Sequence, residues 1–172
     1  MLSTMALVSA FGLPVAVAAE GELRFDGDVY TVAWKLANSL EIKNEYVRSG
    51  ETVERWQRLI TVEQFPKNDD PTGFAKTLFN LAKKQMPGEA PEAYDNHQGQ
   101  YLLCYFLENS ALGKTEFIFQ RICKEPEAAG LRVYTFSIHA DAHLTDERIR
   151  EIKSQQRKWL TELSQLHTGL VK

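Results

Sequence analysis

Only two cysteines, Cys104 and Cys123, occur in the chain. So few exclude a disulfide-dense scaffold, in which bridges stand in for a hydrophobic core. The six prolines are scattered, and no tract rich in Pro, Gly or Ser marks a linker or a low-complexity segment. Like charges do not run together: 20 Lys+Arg and 23 Asp+Glu are interspersed, leaving a formal net charge of -3. That pattern excludes a polyelectrolyte tail. It also gives no general attraction to nucleic acid, because counterion release needs clustered Lys and Arg. The longest uncharged stretch, residues 1–19, falls short of the ~20 apolar residues of a membrane span, so no permanent span is expected.

Several catalytic signatures are missing as well. No Ser sits in a Gly-x-Ser-x-Gly elbow and no Cys in a Cys-Gly context. Gly113-Lys114-Thr115 lacks the upstream glycine of a phosphate loop and opens a strand instead of a helix.

What the chain does contain is a 44% hydrophobic share over 172 residues, enough for one domain with one core. Residues 1–19 are dominated by Ala, Val, Leu and Met and end in Val17-Ala18-Ala19 before Glu20. Small residues there fit a signal-peptidase site, so 1–19 is read as a signal peptide. Gly12 and Pro14 argue against the alternative of a buried helix. Residues 20–172 are then a single domain with a periplasmic or secreted destination.

Within that domain the apolar period is first two and later 3.6. Tyr30, Val32, Trp34 and Leu36 alternate with polar neighbours, as do Leu40, Ile42 and Tyr46, and a third strand spans 56–65 before Pro66. Residues 51–55 between them read as a single helical turn. Asp70-Pro71 opens a helix as N-cap and first-turn proline, with Phe74, Leu78, Leu81 and Ala82 on one stripe. A short edge strand over 94–99 is followed by strands over 101–107, 114–124 and 131–138. The first of these is apolar on both faces and is placed mid-sheet under cover. Thr145 caps a final helix whose buried stripe includes Ile152, Trp159, Leu160 and Leu163. Strands and helices come in runs without βαβ alternation. The expected fold is therefore α+β, with a single antiparallel sheet of six to seven strands flanked by two main helices.

A hairpin around 110–113 places Cys104 opposite Phe119. Cys123 is then roughly 13 Å away at ~3.4 Å per residue, beyond the ~7 Å Cα limit of a disulfide. Two buried free thiols are expected.

The segment Glu45-Tyr46-Val47, Gly50-Glu51-Thr52, Trp56, Leu59-Ile60-Thr61-Val62 and Phe65 resembles a pattern of uncharacterised exported bacterial proteins. The order of elements is similar to the Mog1/PsbP-type α+β sandwich. That resemblance implies an accessory or binding role; it carries no catalytic residues.

Two residue groups are candidate sites. His139, Asp141 and His143 alternate at the end of a strand and offer three donors that zinc accepts, with His97 as a distant supplement. The alternative is a polar strand-to-helix connection, since a metal site needs its ligands to converge. Trp34 and Trp159 read as core. Trp56, flanked by Arg55 and Arg58, either packs over a sheet edge or forms a partner surface, because Trp and Arg concentrate at interface hot spots. The expected function is a non-enzymatic exported protein that binds another protein, as an accessory, inhibitor or immunity-type factor. The alternatives are a metal-dependent enzyme built on the histidine cluster and a carrier of a small apolar ligand.

Overall fold

Asp26-Gly27 makes the first turn of the sheet. Both residues take positive φ, 51° and 79°, as a type I′ hairpin requires and as Asp-Gly allows at little steric cost. The turn joins β1 (Glu22–Phe25) to β2 (Asp28–Ala37), with Phe25 opposite Asp28. A computed structural model describes residues 21–86, 91–95, 99–109, 113–141 and 145–167. The expected signal peptide over 1–19 lies outside them, as does His97.

The chain continues through β3 (Ile42–Arg48), β4 (Arg58–Phe65), α1 (Pro71–Gln85), β5 (Glu92–Asp95), β6 (Tyr101–Asn109), β7 (Lys114–Lys124), β8 (Leu131–Asp141) and α2 (Asp146–Gln165). The strands form one sheet in the order β1-β2-β3-β4-β8-β7-β6-β5, antiparallel throughout. Two meanders thus meet where β4 pairs with β8, and α1 carries the chain to the far edge. The class is α+β with one antiparallel sheet and two helices. The sheet has eight strands, not six to seven; the additional one is β1.

Both helices start as their caps dictate. Asp70 accepts from the Gly73 N–H at 2.9 Å with Pro71 following, and Lys83 and Lys84 sit at the negative end of α1. Thr145 accepts from the Arg148 N–H at 3.2 Å, with Asp146 and Glu147 in the first turn of α2.

The helices lie on opposite faces. On one, Tyr30, Tyr46, Ile60, Phe119 and Phe136 pack against Ile152, Trp159, Leu160 and Leu163 of α2. The Trp159 ring meets Phe119 and Phe136 edge-on, at 5.2 and 5.4 Å between centroids. On the other, Ala75, Phe74 and Leu78 of α1 cover Leu103, Ile122, Leu131 and Val133.

Five local expectations need correction. Trp34 is 40% exposed, not core. A bulge between Val32 and Trp34 inserts Ala33 and moves Trp34 and Leu36 to the opposite face from Tyr30 and Val32. Residues 51–55 make a tight turn closed by Thr52–Arg55 backbone bonds instead of a helical turn. Leu81 lies at the exposed rim of α1, because Ala75 and Ala82 set the contact line. Finally, β6 is second from the edge, and the edge strand beside it, Glu92–Asp95, starts two residues before the expected 94, with 96–98 outside the described residues. β6 is apolar on both sides because Leu103 faces α1 while Leu102, Cys104 and Phe106 join the α2-side core.

The cysteine register is as expected, with Cys104 opposite Phe119 and both thiols free. Burial pushes Cys104 up to about 12 and Cys123 up to about 11.

Candidate binding site

Antiparallel order brings the end of β3, the start of β4, the start of β7 and the end of β8 to one end of the sheet. Arg48 closes β3, and Gly50 at φ 83° turns the chain toward β4. Glu51 then folds back. Its Oε1 accepts from Arg48 Nη2 at 2.7 Å and from the Gln57 N–H at 3.1 Å. Burial would raise the Glu51 carboxyl, but these bonds outweigh it and hold it below the usual range. The same Glu51 bond raises Arg48.

This turn delivers Trp56 to β8. The indole lies flat on the His139 ring, 3.5 Å between centroids and 15° between planes. The His139 N–H donates to the Gln57 carbonyl at 2.9 Å, and its Nδ1 lies 3.2 Å from the Trp56 carbonyl. Trp56 is half-buried, so the stack is a wall and not a core contact.

The wall bounds a cleft of about 500 Å³ in which Arg48, Arg58, Lys114 and Arg148 join Trp56 and His139. A second cleft of about 510 Å³ continues toward α2, where Asp26, Asp28, Glu151 and Lys158 lie. Asp26 organises it from the β1–β2 turn. Its N–H donates to Glu162 at 2.6 Å, and its carboxylate accepts from Arg58 at 2.9 Å and from Lys158. Burial works to raise the Asp26 carboxyl, yet Lys158, the Trp159 indole and Arg58 together lower it. Beneath, burial lifts the Tyr30 phenol to about 12.

Of the residues singled out in the sequence, Trp56 and Arg58 meet in the first cleft. Arg55 does not join them; it is exposed and borders a shallower cleft on the other side of Trp56, with Glu51 and Glu54. His139 belongs to the site through its stack on Trp56. The Asp141 backbone pairs with Lys114, but the Asp141 side chain and His143 lie outside the described residues. Among the described residues no group of three or more His, Cys, Asp and Glu is placed to hold a metal ion. Arg48, Lys114 and Arg148 were not anticipated, because no local motif marks them. Their convergence depends on the β4–β8 pairing, which no short sequence window reveals.

A protein-family model for an uncharacterised bacterial family matches residues 17–168. No curated protein and no solved structure matches the chain.

Proposed function

The chain belongs to an uncharacterised bacterial family, and from that premise we propose that it is an exported, non-enzymatic protein that binds another protein through the cleft bounded by Trp56 and Arg58. The observation that carries the reading is the composition of that cleft. A half-buried tryptophan and three arginines line one concave surface, the residue types that dominate interface hot spots. His139 commits a ring face and Nδ1 to Trp56, which suits a recognition wall. The resemblance in element order to the Mog1/PsbP-type sandwich supports an accessory role. Export rests on the pattern of residues 1–19, whose removal leaves Glu20 as the first residue of the mature chain.

The test is a crosslinking pull-down from the native periplasm with the wild type and Trp56→Ala. Loss of a hot-spot tryptophan costs about 2 kcal/mol or more, roughly a thirtyfold weaker Kd. A specific protein should therefore be captured by the wild type and lost with the variant, whose urea midpoint should fall by no more than about 0.5 M for the lost stack on His139. Equal capture by both removes Trp56 from the interface and the reading with it. Fractionation with N-terminal sequencing tests export separately: a cytoplasmic chain that retains Met1 refutes it.

A further inference from the structure

The cleft sorts its charges by side. Arg48, Arg58, Lys114 and Arg148 come from four different elements and line it, and among the described residues no carboxylate does. The acidic partners stand behind them. Glu51 and Asp28 hold Arg48 at 2.7 and 3.5 Å, Asp26 and Asp28 hold Arg58 at 2.9 and 3.5 Å, and Glu151 holds Arg148 at 2.5 Å. Asp26, Asp28 and Glu151 border the neighbouring cleft, and Glu51 the shallow one. Each guanidinium has five N–H donors in a fixed fork. Arg58 and Arg148 each give one nitrogen, Nη1, to these ion pairs. The rear carboxylates thus fix the arginines: Arg58 and Arg148 keep Nη2 outside these ion pairs, whereas Arg48 gives Nε, Nη1 and Nη2 to Glu51 and Asp28, and Lys114 makes no ion pair with a described residue. Thr145, the N-cap of α2, stands on the cleft margin.

We infer that the cleft receives an acidic segment of the partner protein, with Asp or Glu carboxylates bridging the arginine pair Arg48–Arg58 on one side and Lys114–Arg148 on the other. The inference rests on the protein-binding reading above. Two features favour a peptide over a free anion. The cations are distributed over four elements instead of focused on one point, and Trp56 supplies an apolar wall that peptide backbone and side-chain methylenes can cover. The carboxylate is also the group these arginines already select: Arg48 and Arg58 both reach the same Asp28 oxygen at 3.5 Å. The whole chain carries a net charge of -3, so binding relies on short charge-assisted bonds and not on long-range attraction.

The experiment is a titration of the full chain with a hexaglutamate peptide, followed by amide and side-chain NMR. Resonances of the Trp56 indole and of Arg48, Arg58 and Arg148 should shift together. The double charge reversal Lys114→Glu/Arg148→Glu should weaken binding at least tenfold with an unchanged thermal midpoint; Lys114→Gln/Arg148→Gln, milder for the fold, should weaken it at least threefold. The inference is overturned if the peptide leaves these resonances in place, if inorganic phosphate at equal concentration shifts them as strongly, or if the folded variants bind like wild type. Failure here with Trp56-dependent capture intact removes the acidic segment and leaves partner binding standing. Peptide binding at the cleft with capture indifferent to Trp56 removes the partner-binding reading instead.

Discussion

Arg121 sits on β7 with 1% of its surface exposed, on the face covered by α2. Among the described residues no carboxylate pairs with its guanidinium. The C-terminus of α2 holds it instead. Nη1 donates to the Leu166 carbonyl at 2.6 Å and to the Leu163 carbonyl at 3.4 Å, Nε donates to Gln100 Oε1 at 3.1 Å, and the guanidinium lies 5.1 Å from the centre of the Tyr134 ring. The last turn of α2 contains no basic residue, so this strand residue does the work of a C-terminal cation from across the interface. Arg121→Met keeps the apolar stem and removes the charge. It releases the desolvation cost of the guanidinium but removes the donor to the Leu166 carbonyl, at about 1–3 kcal/mol for a buried group, while the Leu163 carbonyl keeps the Leu166 N–H. Leu166 is only half-buried, so water recovers part of that loss, and the net change should be a destabilisation of about 2 kcal/mol. Arg121→Ala adds a cavity and should reach about 4 kcal/mol. With a urea slope of about 2 kcal/mol/M for a domain of this size, the midpoint should fall by about 1 M for Met and about 2 M for Ala. Hydrogen exchange should show the last turn of α2 losing protection first. An Arg121→Met protein as stable as the wild type, or more so, would mean that the buried charge is a net cost, and the capping argument would fail.

Three further outcomes follow from the geometry. Gly130 has φ +72°, and a Cβ there would lie 1.9 Å from the Phe65 carbonyl oxygen, so Gly130→Ala should lower the thermal midpoint by the equivalent of at least ~2 kcal/mol; an unshifted melt would contradict the close β4–β8 approach. Trp159→Ala should cost about 3–5 kcal/mol in urea denaturation and Trp34→Ala less than ~1, because one ring is 4% exposed and the other 40%; similar losses would put Trp34 back in the core. Asp26 has a lowered carboxyl pKa against an ordinary value of 3.8, so its contribution is present above that value and is lost as pH falls through the lower folded one. The gap in urea midpoint between wild type and Asp26→Asn should therefore narrow as pH is brought from about 5 to about 2, and a gap that widens would reverse the assigned sign.

Much of the architecture was legible because it is written in local patterns. Asp70-Pro71 and Thr145-Asp146-Glu147 announce the helices through capping chemistry that needs only a few residues. The β6–β7 register followed from hairpin geometry and placed Cys104 opposite Phe119 correctly. The errors have physical causes of two kinds. One is an available signal left unused: Asp26-Gly27 between Phe25 and Asp28 is a strong hairpin dipeptide, and reading it would have supplied β1. The other is a feature with no local mark. The bulge at Ala33 interrupts an otherwise clean alternation, and only the pairing with β3 shows that Trp34 has changed faces. The site divides the same way. Trp56 and Arg58 were visible as a Trp–Arg neighbourhood, whereas Arg48, Lys114 and Arg148 become neighbours only when the meanders join.

That join explains why the charges collect where they do. In an antiparallel sheet each strand reverses its neighbour, so the start of β2, the end of β3, the start of β4, the end of β8 and the start of β7 must share one end. The β1–β2 turn brings Asp26 and Asp28 there, β3 and β4 bring Arg48 and Arg58, β7 brings Lys114, and α2, which follows β8 directly, brings Arg148. The opposite end carries charge as well, but in pairs of opposite sign: Lys124 with Asp69, Arg132 with Glu125 and Lys43 with Glu63. Moving a cation from one end of a strand to the other would leave composition and net charge untouched and yet remove it from the cleft. The capacity to bind an acidic segment is thus a property of strand order, and it should fail when one charge-bearing strand end is displaced even though the core still folds.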